Sequence, residues 1–280
     1  MKNVLRCLIY GDQVSLTLAD TTELVNEGIK LHNLAPSSAV ALGKALSVTT
    51  FMSSCLKEET GQISISLRSD GEGGDIGVSG DHFLRIRGYI ANPNLALERN
   101  AEPALGDGTL TVVRDDGYSR PFVGACALKG GGTVDASVEE YYRISEQLPT
   151  YLSTVVKIAE NGDCSFAGIA VLQPLPFAED ETLAAMPTGE ALKAIVEEIA
   201  SLGLNETLQK YFSDATGVEY KEAQYKCHCS REYLSRVLVT LGEEQMRKIV
   251  QEDGCVKAHC HYCNTDYVFT DEDVDVIFKK

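Results

Sequence analysis

The sequence predicts an α+β fold in three parts: a mixed α/β core domain over 1–173, an acidic helical linker over 174–220 and a small zinc-binding domain over 221–280. Three observations carry this. Strand-like and helix-like stretches in the first 173 residues come in runs, which suits an α+β domain better than a doubly wound sheet. Gln173-Pro174-Leu175-Pro176 closes that region with two prolines, a boundary signal. Near the C-terminus, Cys227 and Cys229 form a C-x-C pair and Cys260 and Cys263 a C-x-x-C pair, whereas Cys7, Cys55, Cys126, Cys164 and Cys255 are scattered singly.

Within the core, Val4–Ile9 and Val14–Ala19 read as strands joined at Gly11-Asp12, the second alternating apolar and polar residues. Apolar residues recur at helical spacing from Thr22 to Leu34 and from Ser37 to Leu56, where Ala39, Leu42, Ala45 and Leu46 share a face. Gln62–Arg68 alternates cleanly, as a half-buried strand does. Gly71–Gly80 reads as a flexible glycine-rich turn; it lacks the G-K-[ST] ending of a phosphate-binding loop, and Ile76 breaks G-x-G-x-x-G. Strands are expected at Phe83–Ile90, Thr109–Arg114, Phe122–Leu128, Tyr151–Ala159 and Ser165–Leu172. One helix is expected near Asp135–Gln147, and a solvated turn at Asp115-Asp116 before Gly117.

Phe177–Tyr220 reads as two or three short helices. Leu192, Ile195, Val196 and Ile199 form one apolar stripe, and Asn205 suits the N-cap of a following helix carrying Leu208, Tyr211 and Phe212. From Pro174 to Tyr220 there are nine acidic and two basic side chains, against eleven and nine from Lys221 onward. So much charge on so little apolar surface marks this stretch as the least stable. After Cys229, Ser230 can cap a helix with Leu234, Val237, Leu238 and Leu241 on one face, ending at Gly242. A second helix from Glu243 turns Met246, Ile249 and Val250 inward and stops at Gly254. His259–Asn264 forms a zinc knuckle leading into a strand at Tyr267–Phe269, and Thr270 with Asp273 starts a last helix ending near Phe278.

A net charge of −16 opposes attraction to phosphate backbones and anionic membranes, and no basic stripe with interleaved aromatics appears. Neither nucleic acid nor a membrane is an expected partner. The opening MKNVLRCLIYGDQ holds too short an apolar run for a signal peptide, and no stretch approaches the roughly 18 apolar residues of a membrane span. Nine cysteines without a secretory signal point to a reducing cytoplasm, where thiols bind metal or answer redox change.

Four thiolates close a tetrahedral zinc site with no open position for substrate, one ion per chain. The segment of about 55 residues after Lys226 is short enough to need such a staple. Spacing alone leaves open whether the site is only structural. A C-x-C disulfide closes a small strained ring that is easily reduced, which suits reversible signalling. His228, His259 and His261 read as neighbours of the sulfurs rather than ligands, Cys255 as a spare thiol, and the core cysteines as small buried hydrophobes. His32 and His82 lack acid or nucleophile partners at motif spacing, so no catalytic residue is assigned and an enzyme is not expected. Two other readings stand beside this one. The first is a constitutive zinc-ribbon module docking a protein or nucleic acid; the second is a thiol–disulfide oxidoreductase on Cys260 and Cys263, which lacks a thioredoxin-like strand–C-x-x-C–helix context.

The block YKCHCSREYLSRVLVTLGEEQMRKIVQEDG with AHCHYCNTDYVF after it resembles the redox-regulated heat-shock holdases, the thirty-three-kilodalton heat-shock chaperone family. EYYRISEQLPT (Glu140–Thr150), RGYIANP (Arg87–Pro93) and VVRDDGYSRPFVGACAL (Val112–Leu128) are similar to the same family. The resemblance implies an ATP-independent chaperone that is off when reduced and zinc-bound. It implies that peroxide or hypochlorite, usually with heat, oxidises the four cysteines, releases zinc and unfolds the zinc domain and adjacent linker. The implied active form is a homodimer that holds unfolding client proteins until other chaperones refold them. By the same resemblance Cys227 with Cys229 and Cys260 with Cys263 are the redox-active disulfide pairs, the four are the metal ligands, and 174–220 is the unfolding linker. His228 between the first pair, and the extra Cys255, depart from the family's usual pattern.

Overall fold

Helix α2 (Pro36–Ser54) sets the architecture, because every one of its residues except Pro36 and Lys44 is buried. A helix apolar or small on all sides has to be covered on all sides. Two sheets do so. The first has five strands in the order β10 (Thr216–Lys221), β1 (Val4–Ile9), β2 (Val14–Asp20), β9 (Cys164–Pro174), β8 (Tyr151–Ile158). The second has six: β11 (Gln224–Tyr225), β5 (Arg85–Ile90), β4 (Ile76–Asp81), β3 (Gln62–Ser69), β6 (Gly108–Asp115), β7 (Phe122–Leu128). Neighbouring strands run antiparallel except β11, which lies parallel to β5. Side chains from both sheets, among them Val4, Ile169, Ile65 and Ile86, pack with Leu42 and Leu46 of α2 in one core. The hydroxyls of Ser47, Thr49 and Thr50 donate back to carbonyls four residues earlier, so their burial leaves no orphan donor. The computed structural model describes residues 2–95, 97–128 and 131–278, and the mixed α+β class read from the sequence is borne out.

The turn expected over Gly71–Gly80 is shorter than that, since Ile76–Asp81 is strand β4. A Cβ on Gly80 would stand 2.2 Å from Ser53 Oγ of α2, and one on Gly77 2.5 Å from the Tyr89 ring. Glycine is demanded there by the close approach of a helix and a ring, not by a turn. The helix expected near Asp135–Gln147 is α3 (Val134–Tyr141), continued by a π turn over Tyr142–Glu146.

Strand β9 is buried along nearly its whole length, as expected when both faces of a sheet are covered. The outer cover is α5 (Glu190–Tyr211), whose Leu192, Ile195, Val196, Ile199 and Leu208 meet Leu5, Cys7, Ile9, Leu16, Leu18 and Leu172. Helix α4 (Asp180–Ala185) contributes no buried residue. Two expectations for this stretch are corrected. Asn205 is not an N-cap: the helix breaks at Gly203 (φ 78°, ψ 171°), and Asn205 Oδ1 accepts a 2.5 Å hydrogen bond from the Tyr220 hydroxyl. The end of the stretch expected to be helical, from Thr216 to Tyr220, instead lies in the edge strand β10, whose exposed side chains show no period-2 burial.

The chain forms two compact units, divided between Lys226 and Cys227, and α4, α5 and β10 belong to the first. The second contains α6 (Arg231–Leu238), a 3-10 turn at Val239–Leu241, α7 (Glu243–Asp253), the hairpin β12 (Val256–Cys260) and β13 (Thr265–Phe269), and α8 (Asp271–Phe278). Strand β12 is the returning strand for which the stretch between the two thiol pairs, Ser230 to His259, leaves room after its two helices. Leu238, Met246, Val256, Phe269 and Val274 are the buried apolar residues of the second unit, with Leu234, Ile249, Val250, Ala258, Tyr267, Ile277 and Phe278 partly buried against them. Val237 and Leu241, expected inward, stay 43% and 49% exposed because this small core covers only part of the helix stripe. Among the described residues no helix is long and apolar enough to cross a membrane.

Candidate metal centre

The second unit holds its two thiol pairs with its capping residues. Ser230 Oγ accepts from the Tyr233 N–H at 3.1 Å and starts α6 directly after Cys229. Arg231 donates to the Val268 carbonyl at 2.8 Å, lies 2.7 Å from Asp273 and sits 4.5 Å over the Phe269 ring. Glu232 turns back on the cap; its own backbone amide and the Ser230 hydroxyl hold its carboxyl below its ordinary range. The S-R-E sequence thus ties the C-x-C segment to β13 and α8. Across from it, β12 and β13 pair from Val256↔Phe269 to Cys260↔Thr265, and His261–Asn264 make the turn with Asn264 at φ 50°. Cys260 therefore ends a strand and Cys263 lies on the far side of the knuckle.

Cys227 Sγ is 3.3 Å from Cys229 Sγ and 3.7 Å from Cys260 Sγ, while Cys229 Sγ is 3.1 Å from Cys263 Sγ. All four sulfurs lie within 4.8 Å of one another, and each residue is half-buried. Sulfurs bound about 2.3 Å from a tetrahedral zinc stand roughly 3.8 Å apart, so the donor set and its spacing fit that ion. The electrostatics fit as well. Burial pushes the Cys229 thiol well above its ordinary range, with the Tyr267 hydroxyl at 3.3 Å working the other way. Burial raises Cys260 too, opposed by the Cys263 and Tyr262 backbone amides. Clustered, desolvated thiols cannot all ionise unless a cation sits among them.

Tyr267, four residues after Cys263, is a neighbour of the sulfurs that spacing did not single out. The sequence placed it only at the start of a strand. The candidate metal-binding group among the described residues contains the four cysteines and no histidine. His259 Nδ1 is 2.7 Å from Asp266 Oδ1, and its ring stacks edge-on with His261 at 5.0 Å. His228 is exposed, and Cys255 is half-buried just before β12 and outside the group. Cys7, Cys126 and Cys164 are buried; burial pushes Cys7 to about 11 and Cys164 to about 12 and raises Cys126. They behave as small hydrophobes.

The family described as Hsp33 protein matches the chain over residues 2–270. The chain belongs to the Hsp33 family. A 33 kDa chaperonin of Clostridium novyi is 32% identical over 288 residues, covering 99% of this chain and 97% of that protein. One from Acetivibrio thermocellus is 33% identical over 287 residues, covering 97% and 95%. The crystal structure of the 33 kDa chaperonin (Heat shock protein 33 homolog) of Thermotoga maritima matches with a TM-score of 0.82 at 25% identity, over 99% of this chain and 97% of that one. The heat-shock family resemblance read from the sequence is borne out. As an Hsp33 chaperone, the protein has unfolded client proteins as its class of partner.

Proposed function

We propose that this Hsp33 protein is an ATP-independent cytoplasmic holdase rather than an enzyme, off while Cys227, Cys229, Cys260 and Cys263 are reduced around one zinc ion and on when they are oxidised. One observation carries the reading: four half-buried sulfurs within 4.8 Å of one another in a unit with a buried apolar cluster of five residues. When bound, the ion supplies the positive charge that keeps four thiolates side by side and crosslinks the two ends of the unit.

Half-burial leaves the sulfurs within reach of a small oxidant. Each pair gives two electrons to one peroxide as one S–S bond forms. Two protons, from the thiols or from solvent, leave with the peroxide oxygens as two waters. We assign the pairs as Cys227–Cys229 and Cys260–Cys263. Disulfide sulfurs no longer carry the charge that holds a divalent cation, so the crosslink is lost. What is left is a core of five buried side chains with a partly buried rim around them, in a segment of about 55 residues, a size at which cores are marginal.

The opening then extends to the linker, 174–220. Helix α4 buries nothing, β10 is an exposed edge strand and α5 is broken at Gly203, so this segment holds on chiefly through the α5 stripe. Its departure bares Leu5, Ile9, Leu16, Leu18 and Leu172, an apolar face for unfolding clients, and the activated protein works as a homodimer. Light scattering of a chemically denatured client tests the function. Reduced protein should leave the aggregation curve unchanged, and protein treated with peroxide at elevated temperature should flatten it near stoichiometric ratio. Oxidised, zinc-free protein that leaves scattering unchanged overturns the proposal.

A further inference from the structure

Residues 222–226 carry the chain from β10 to Cys227, and they are fastened to the first unit by backbone and side-chain hydrogen bonds. Asn3 brackets Ala223, accepting its N–H at 2.8 Å and donating from Nδ2 to its carbonyl at 3.2 Å; Ala223 is buried. Gln224 N–H donates to the Leu84 carbonyl at 3.0 Å and Lys226 N–H to the Ile86 carbonyl at 2.8 Å. Between them the Tyr225 ring reaches α1 (Thr22–His32), where a Cβ on Gly28 would stand 3.8 Å from it. Its hydroxyl donates to the Gly88 carbonyl at 2.8 Å and accepts from the Gly88 N–H at 3.2 Å. That commits the single phenolic proton, so His32 Nε2, 3.3 Å away, is the donor in its contact with Tyr225. On one side of this fastening stands β10, nearly all exposed; on the other begins the unit with the five-residue core.

We infer that Tyr225 is a positioning residue of the redox switch, whose clamp on Gly88 holds back the spread of disorder from 227–280 into 174–221. The inference rests on the redox reading above and adds to it the element that limits how far the opening spreads along the chain. While Cys227 is held in the sulfur cluster, residues 222–226 have an ordered neighbour on each side, and losing one hydroxyl changes little. Once the second unit is disordered, the same residues become the end of the ordered chain. Fraying then starts at Lys226 and has to pass Tyr225 and Ala223 before it reaches β10. The clamp therefore counts in the oxidised protein and hardly at all in the reduced one.

Hydrogen exchange read by mass spectrometry on the full chain tests this, with Tyr225→Phe as the first variant and Asn3→Ala as the second. In the oxidised protein, at a temperature where the wild-type 174–221 peptides still keep part of their protection, those peptides should exchange roughly tenfold faster in Tyr225→Phe, the effect of losing about one hydroxyl's hydrogen bonds. Zinc content and exchange of the same peptides in the reduced protein should match wild type. Equal acceleration in reduced and oxidised protein means a merely structural tyrosine and overturns the inference, as does no acceleration in either variant. Wild-type protein whose 174–221 peptides stay protected at every temperature after oxidation overturns the redox reading along with it, and the wild-type arm alone reports that outcome.

Discussion

Replacing Cys260 with serine will unfold the second unit of the reduced protein while the first unit stays folded. Serine keeps the shape and offers no thiolate, leaving three sulfurs where four lie within 4.8 Å. A structural zinc site contributes about 10–16 kcal/mol of apparent free energy near neutral pH, and in a small unit that is folding energy. The unit has little else, since α6, α7, the hairpin and α8 share Leu238, Met246, Val256, Phe269 and Val274. The Arg247 contacts to Glu243, Asp271 and Asp275 tie α7 to α8 at its surface, where such pairs add little. Circular dichroism should show the helical signal of α6–α8 lost, while the melting transition of the first unit keeps its midpoint. A strong chelator on the wild-type protein should give the same spectrum. Cys255→Ser, outside the sulfur group, should keep both zinc and helix. A Cys260→Ser protein that retains stoichiometric zinc and its helices would mean the fourth sulfur is dispensable.

Placing a carboxylate at Val196 should turn the chaperone on without oxidation. Val196 is fully buried under the first sheet's outer face, flanked along α5 by Leu192, Ile195 and Ile199. An unpaired charge in that layer costs several kcal/mol, and α4, which buries nothing, offers little to offset it. Val196→Asp is therefore expected to lift α5 with all nine cysteines reduced. The readouts are client light scattering in excess reductant, which should fall, and limited proteolysis, which should cut within 174–220. Glu197→Gln, at the neighbouring surface position paired with Lys157, is expected to behave as wild type. If Val196→Asp is cut within 174–220 and yet leaves the client curve unchanged, the face under α5 is not the client surface.

Much of this fold is legible in the sequence where a single face is buried. β3 alternates, β7 falls where expected, and Ser230, Gly242 and Gly254 bound their helices through caps whose chemistry is local. What stays hidden depends on long-range packing. Gly77 and Gly80 look like turn residues until α2 and Tyr89 are seen against them. β10 has no apolar alternation because it is an edge whose partner β1 lies some two hundred residues away. The metal centre is legible in its ligands, since two close thiol pairs identify themselves by spacing, and the structure brings all four together. Tyr267 is hidden because a hydroxyl beside a sulfur leaves no spacing signature. Tyr225 is hidden because its partners, Gly88 and His32, are distant in sequence.

Counting zinc and free thiols in one sample, before and after peroxide at elevated temperature, tests the switch most directly. Reduced protein should hold one zinc per chain and nine titratable thiols. After oxidation the zinc should be free in solution and five thiols should remain, those of Cys7, Cys55, Cys126, Cys164 and Cys255. Burial protects three of these, with Cys7 pushed to about 11 and Cys164 to about 12, so that near neutral pH they offer almost no thiolate to the oxidant. Zinc still bound after four thiols are lost, or zinc lost with all nine thiols intact, would contradict a switch built on these four cysteines.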